Sequence, residues 1–202
     1  HTAYRRQRQM CIRDRGGCAL IICNTIARAQ QAYRALEDIY GDEVQLHHAG
    51  FVAWERVAKE DALRDELGPE SRRGSGRPWR KIVVATQVAE QSLDIDADLL
   101  ITDIAPMDLI IQRIGRLHRH ERPAADRPTN LQQPQVMIRG IVEREPVPEF
   151  DSGAEYIYGT ALLLSTLALL PSVFRRPDDI ESLVRETYDR NFTPPAGWEE
   201  IW

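Results

Sequence analysis

The sequence predicts an α/β fold, a parallel sheet with helices on both faces, followed by a small helical extension. Three observations carry that prediction. Short, continuously apolar runs such as CALIIC (18–23) and KIVVAT (81–86) have the pattern of strands buried on both faces. Longer amphipathic stretches alternate with them, the order a parallel sheet requires because each return crossing needs a helix. Glycine and proline punctuate the joints, at Gly41, Gly68-Pro69, Gly74, Gly76 and Pro78.

The chain opens at His1 and closes at Trp202, and it reads as a fragment. Residues 1–15, with RRQRQMCIRDR, have no clear periodicity; they read as a disordered basic end or as foreign sequence joined to a start near Gly16. The first strand is CALIIC. Asn24-Thr25 leads into a helix, IARAQQAYRALEDIY (26–40), with Ala27, Ala35, Leu36 and Ile39 among its apolar positions and Gly41 as its stop. VQLHH (44–48) is a second strand and WERVAKEDALRDEL (54–67) a second helix. A basic loop (70–80) precedes the third strand, KIVVAT. QVAEQSLDIDA (87–97) connects, with a helical turn, to the fourth strand DLLITDI (98–104). A helix begins near Pro106–Met107, where proline suits the first turn. Segment 122–134 is a loop, and the alternation of QVMIRGIVE (135–143) gives a last strand. The main domain is thus 16–143, a proline-bearing linker 144–152, and a helical extension 153–202. The extension holds helices over 154–170 and 178–190, the second N-capped by Asp178 or Asp179.

Composition excludes some classes. At 43% hydrophobic and 28% charged the chain is an ordinary soluble one, and a net charge of −5 does not suit a general nucleic-acid binder. The charge is uneven: residues 143–202 hold twelve acids and five arginines, whereas RRGSGRPWRK (72–81) holds four arginines and a lysine and no acid. That patch is either a phosphate site or a solvated loop. Cys11, Cys18 and Cys23 form no C-x-x-C pair and no zinc-spaced cluster, so no metal site is expected. Cys18 and Cys23 fall on a buried strand, which fits a reducing compartment. ALLLSTLALL (161–170) is too short to span a bilayer and is closed by Pro171. With no secretory leader recognised, a cytoplasmic protein without membrane association is expected.

The chemistry concentrates in QRIGRLHRH (112–120). On a continuous helix Gln112, Arg113, Arg116 and Arg119 share one side, and Ile110, Ile111, Ile114 and Leu117 the other. Like charges three residues apart repel, so three cations on one face call for an anion. The alternative is a solvated face paired with acids, but the nearest, Asp108 and Glu121, lie at the ends of the run. Arginine is also the cation whose planar fork takes phosphate oxygens in pairs. Ligands of parallel sheets bind beyond the carboxyl ends of the strands. Asn24-Thr25, Thr86-Gln87 and Asp103 fall there, and the arginine helix starts just past them, which predicts an anion site at that edge.

The stretches ALIICNT, VVATQVAEQSLDID and IIQRIGRLHRH, in this order, resemble motifs IV, V and VI of the second RecA-like domain of superfamily-two helicases. Within that superfamily the chain is most similar to the type I CRISPR-associated helicase–nuclease. LHHAGF (46–51) resembles its LFHARF-type segment, with Gly50 where the family often has arginine. The resemblance spans about residues 17–123 and extends more loosely to about 192. It implies that Arg116 and Arg119 are arginine fingers reaching the γ-phosphate of ATP. It implies that Gln112 and Arg113 engage the ATP site and its acidic motif across a cleft, and that Gly115 permits close approach. Asp94 would couple the ribose to the fingers. Thr86 and Gln87 would hold the nucleic-acid backbone, with help from Asn24 and Thr25.

The implied function is the second motor lobe of an ATP-dependent single-stranded DNA translocase within a helicase–nuclease. Its implied cofactor is ATP with Mg2+, held mainly by a first RecA-like domain. The implied partners are that domain, single-stranded DNA and a CRISPR RNA-guided surveillance complex. This chain contains no G-x-x-x-x-G-K-[ST] and no D-E-x-[DH], and lacks the nuclease ligands. The 202 residues alone are therefore expected neither to hydrolyse ATP nor to cut DNA. Alternatives are a lobe of another superfamily-two helicase, or a non-motor α/β module that binds phosphate or nucleic acid. Plainer roles also stand for single residues: Thr86 as a turn cap, Asp94 and Asp96 as loop acids, Asn24-Thr25 as a helix start. His118 and His120 read as surface or interface residues rather than ligands, and the tyrosines and leucines of 156–170 as core.

Overall fold

The computed structural model describes residues 16–91, 93–143 and 147–198; the expectations for residues 1–15 and for Cys11 lie outside them. In chain order the elements begin with β1 (Gly17–Ile22), α1 (Ile26–Tyr40), β2 (Val44–His47) and α2 (Ala53–Leu67). Next come β3 (Arg72–Arg73), β4 (Gly76–Arg77), β5 (Arg80–Ala85), α3 (Val88–Gln91), β6 (Leu99–Asp103) and α4 (Met107–Ile114). They end with β7 (Gln135–Arg139), β8 (Ile141–Glu143), β9 (Glu149–Phe150), α5 (Ser152–Tyr158), α6 (Thr160–Leu169) and α7 (Ile180–Thr187). The main sheet has the order β2-β5-β1-β6-β7. β1 lies parallel to β5 and β6, and β5 parallel to β2, with Gly17 opposite Arg80, Ala19 opposite Leu99 and Val44 opposite Ile82. This is the predicted α/β fold.

The strands are apolar throughout because both faces are covered. Side chains alternate: Ala19, Ile21, Ile82, Val84 and Leu99 face one layer, and Cys18, Leu20, Ile22, Val83 and Leu100 the other. α1 closes the first layer with Ala29, Ala32, Tyr33 and Leu36; α2 closes the second with Leu63 and Leu67. Cys18 and Cys23 are fully buried, and burial pushes the Cys18 thiol up to about 12.

Contacts divide the chain into two compact units. One runs up to Thr102 and includes Arg113–Met137; the other comprises Asp103–Gln112 and the chain from Ile138 onward. The second unit has its own core of Ile104, Phe150, Ala154, Leu163 and Leu164, with Ile138 and Ile141 packed against it.

Several local expectations need correction. Of the four apolar positions named on α1, only Leu36 packs; Ile39 is 58% exposed, and the tyrosine rings of Tyr33 and Tyr40 complete the face instead. The strand expected over 135–143 breaks at Gly140, whose φ of +87° only glycine adopts readily and where a Cβ would lie 2.8 Å from Asp151 Oδ2. Beyond it β8 turns to pair antiparallel with β9, inside the region expected to be linker. The helix expected over 154–170 breaks in the same way at Gly159, φ +80°. The break leaves Tyr156 on a solvent face at 92% exposure, so not all of the 156–170 aromatics are core. Asp179 is the N-cap residue of α7 as expected, but its side chain makes no capping bond; its carboxylate accepts the Arg175 N–H at 2.7 Å instead.

Candidate functional site

The first unit brings the backbone of the predicted residues into two places rather than one. At the carboxyl edge of the sheet, parallel register sets the ends of β1 and β5 side by side. The Thr25 hydroxyl accepts the Arg28 N–H at 3.2 Å and so caps α1. Thr86 N–H donates to the His47 carbonyl at 3.2 Å, and its own carbonyl accepts from Ala89 at the start of α3. The Gln87 amide donates to the Asn24 carbonyl at 2.9 Å. Asn24, Thr25, Thr86 and Gln87 thus meet. Asn24 and Thr86 are each only 3% exposed, so they brace this edge while Thr25 and Gln87 reach its surface.

Arg113 does not join an open cationic face. It has no exposed surface. Its Nε donates to Glu90 Oε1 at 2.7 Å, and its terminal nitrogens donate to Thr102 Oγ1 at 2.7 Å and Asn24 Oδ1 at 3.2 Å. The helical projection assumed a helix continuing to residue 119. In fact α4 ends at Ile114, where Arg116 N–H bonds the Arg113 carbonyl and Leu117 N–H the Ile114 carbonyl in a tight turn through Gly115. The turn breaks the phase, so Arg113 belongs to the core side and the later arginines do not stand above it. Gln112 is exposed on the last turn of α4.

Past that turn the chain runs beside the segment that precedes β6. Ala97 N–H bonds the Arg116 carbonyl at 2.9 Å, and His118 N–H bonds the Ala97 carbonyl at 3.0 Å. Asp98 N–H in turn bonds Cys18 at the start of β1. The backbone of residues 116–118 therefore lies toward the amino edge of the sheet. The single-edge site expected from sequence is corrected for the backbone: Asn24 and Thr86 lie at the carboxyl edge and the 116–118 backbone toward the amino edge, while the Arg116 side chain returns to the 89–90 carbonyls just past Thr86. Asp103, also expected at the carboxyl edge, is fully buried and paired with Arg139 at 2.9 Å.

Arg116 reaches back along 89–90, donating to the carbonyls of Ala89 at 3.1 Å and Glu90 at 2.6 Å. Burial, and after it the neighbouring Arg119 charge, lower its pKa from the ordinary arginine value. Arg119 Nε donates to Asp94 Oδ1 at 2.5 Å, and both partners stay open, at 39% and 46% side-chain exposure. The Arg119 bond is the main cause that holds the Asp94 carboxyl low. His120 Nε2 lies 3.1 Å from the same carboxylate oxygen. His118 adopts φ +45°, uncommon for any residue but glycine.

Sequence reasoning missed the charge cluster behind this loop. Asp96, for which a plain loop-acid role stood open, is fully buried, and so is Asp98. Arg77, Arg122 and Arg127 bond them. Arg77, read as part of a basic patch, is thus an interior residue. Arg73 lies over the Trp79 ring at 4.7 Å and donates to the Asp126 and Trp79 carbonyls. The patch is therefore largely engaged within the lobe and is neither a free phosphate site nor a simple solvated loop. The available signal was DIDAD (94–98), whose alternating acids straddle the buried Ile95 and Ala97. Among the described residues no group of His, Cys, Asp or Glu is placed to hold a metal ion, and no helix is long and apolar enough to cross a membrane.

The sequence profile of the family "CRISPR-associated nuclease/helicase Cas3, C-terminal" matches residues 15–122. A Streptococcus thermophilus CRISPR-associated nuclease/helicase Cas3 is 45% identical over 181 residues, covering 89% of this chain and 18% of the relative. The Escherichia coli (strain K12) Cas3 endonuclease/helicase is 40% identical over 134 residues, 65% of this chain and 14% of the relative. The chain thus spans less than a fifth of the length of these relatives. In structure, T. fusca Cas3–AMPPNP superimposes with a TM-score of 0.85 at 33% identity, over 96% of this chain and 22% of that one. A chain of a pre-nicking CRISPR RNA-guided surveillance complex gives 0.79 at 29% identity, over 99% of this chain and 24% of that one.

Proposed function

Since the chain belongs to the C-terminal helicase region of the CRISPR-associated nuclease/helicase Cas3 family, we propose that it is the second motor lobe of an ATP-dependent single-stranded DNA translocase. In this reading the lobe supplies cations to a triphosphate whose phosphate cradle and Mg2+ site sit on a first RecA-like lobe. The observation that carries it is the openness of Arg119. Its guanidinium rests on a carboxylate that is itself exposed, so it can leave Asp94 for a stronger anion without unpairing a buried charge.

Arg119 is the group that would meet the γ-phosphate and stabilise the charge that builds on it as the phosphoryl is transferred. Arg116, fixed on the 89–90 carbonyls, lends its charge nearby. Asp94 orients Arg119 between turnovers. Arg113 has no surface to offer a nucleotide; it positions Glu90 and Asn24 and so links the fingers' support to the carboxyl edge. At that edge Thr25 and Gln87 would contact the DNA backbone without reading bases, as movement along any sequence requires. Solved structures of T. fusca Cas3 with ATP and ADP, and the surveillance-complex match, support nucleotide binding and docking on an RNA-guided complex as roles of the longer protein.

The test is DNA-stimulated ATP hydrolysis by the full-length protein. Arg119→Ala should lower kcat by about a thousandfold while single-stranded DNA affinity is kept. An Arg119→Ala protein that hydrolyses ATP at the parent rate overturns the finger reading. The 202-residue chain alone should show no ATPase; a rate abolished by Arg116→Ala would overturn the half-site picture.

A further inference from the structure

The Asp96 carboxylate has no part in the proposed phosphate contacts, yet it bonds the Arg119 backbone, Arg122 and Arg127 at once. Its Oδ1 accepts the backbone N–H of Arg119 at 2.8 Å. Arg127 spans both its oxygens, at 3.1 and 2.9 Å, and Arg122 Nε donates to Oδ2. Its own backbone is tied too: its N–H bonds the Leu67 carbonyl at 2.9 Å, and its carbonyl accepts both Arg77 terminal nitrogens at 3.1 Å. Its two arginine partners grip the loop from further sides. Arg127 donates to the His120 carbonyl at 3.2 Å, and Arg122 to the carbonyls of Ser71 and Gly68 at the end of α2.

The loop therefore has two carboxylates with separate tasks. Asp94, exposed, touches the Arg119 guanidinium; Asp96, fully buried, holds the Arg119 backbone. His118, between the two arginines, sits at a left-handed φ that persists only where surroundings over-determine it. We propose that Asp96 is a positioning residue for Arg119, fixing the loop backbone with Arg122 and Arg127 so that the guanidinium is presented at a set point. This rests on the finger reading of Arg119. It matters because a misplacement of about 1 Å at a reacting centre can cost about a hundredfold in rate.

The experiment is a double-mutant cycle in the full-length protein, reading kcat and KM for ATP with single-stranded DNA present. Asp96→Asn keeps the side chain's shape and removes its charge. It should lower kcat about ten- to a hundredfold with KM within about twofold. On an Arg119→Ala background it should lower kcat by less than about twofold, because the group it positions is gone. An equal factor in both backgrounds, or no loss of kcat, overturns the proposal. A parent-like kcat in Arg119→Ala alone would instead sink the finger reading. If circular dichroism shows Asp96→Asn unfolded, the same cycle is run with Arg122→Lys, which keeps the cation and removes the planar fork, and the same two outcomes decide.

Discussion

Arg113 and Arg119 stand six residues apart and live in opposite environments. Arg113 is an interior cation with its donors on a carboxylate, a hydroxyl and an amide oxygen, and Arg77, Arg122 and Arg127 are interior cations paired with Asp96 and Asp98. Arg119 keeps open surface and leans on an open carboxylate. A buried cation is tolerated only where its hydrogen bonds are filled, and removing one partner strands the other. An exposed pair adds little to stability and is easily exchanged. The interior arginines thus hold the fold, and Arg119 is the cation to which the proposed function gives an anion.

That contrast breaks most visibly at Arg113. Arg113→Met should destabilise the 202-residue chain by about 3–5 kcal/mol, because it takes the cation out of a buried ion pair with Glu90 and leaves that carboxylate desolvated. Chemical denaturation measures it; a loss under about 1 kcal/mol would move Arg113 into the exposed class. Arg127→Met should do less, about 1–3 kcal/mol. There Asp96 keeps Arg122 and Asp98 keeps Arg77, so neither carboxylate is stranded. A loss as large as that of Arg113→Met would show that the cluster needs all three cations.

The same contrast marks what the sequence could show. The sheet was legible because its strands are apolar on both faces and its helices carry caps and stops at Thr25, Gly41 and Gly68. The breaks at Gly140 and Gly159 were not foreseen, since a glycine's φ is chosen by its surroundings. The arginine run was legible as chemistry but not as geometry. Its carboxylate partners Glu90, Asp94 and Asp96 lie more than twenty residues upstream, so charge spacing within 107–121 could not reveal which arginine was paired. A helical wheel also has no means of sensing the turn at Gly115.

The interior also sets a pH response. Burial holds His47 and His118 below the ordinary histidine value of 6.5. A base with a depressed folded value binds its proton more readily when unfolded, so stability falls as pH drops below 6.5. Melting temperature measured from about pH 8 to about pH 5 should decline, and His118→Asn should flatten part of the decline. Asp94 and Asp96, held low in the fold, add their losses only as pH falls below the ordinary carboxylate value of 3.8. A flat profile down to about pH 5 would mean that the two histidines meet water as freely in the folded chain as in the unfolded one.

The smallest expected change in stability belongs to the residue with the largest expected effect on turnover. Arg119→Ala removes a half-open ion pair and one long contact to the Gly115 carbonyl at 3.3 Å, while the backbone bond from Arg119 N–H to Asp96 survives the substitution. Denaturant unfolding of the variant should fall within about 1 kcal/mol of the parent. Asp94, with almost half of its side chain in solvent and His120 beside it, keeps water and a second donor when the guanidinium goes. A loss of several kcal/mol would place Arg119 with Arg113 among the cations that hold the lobe together. A finger that is also a structural pillar could not swing to a phosphate without loosening the loop that aims it.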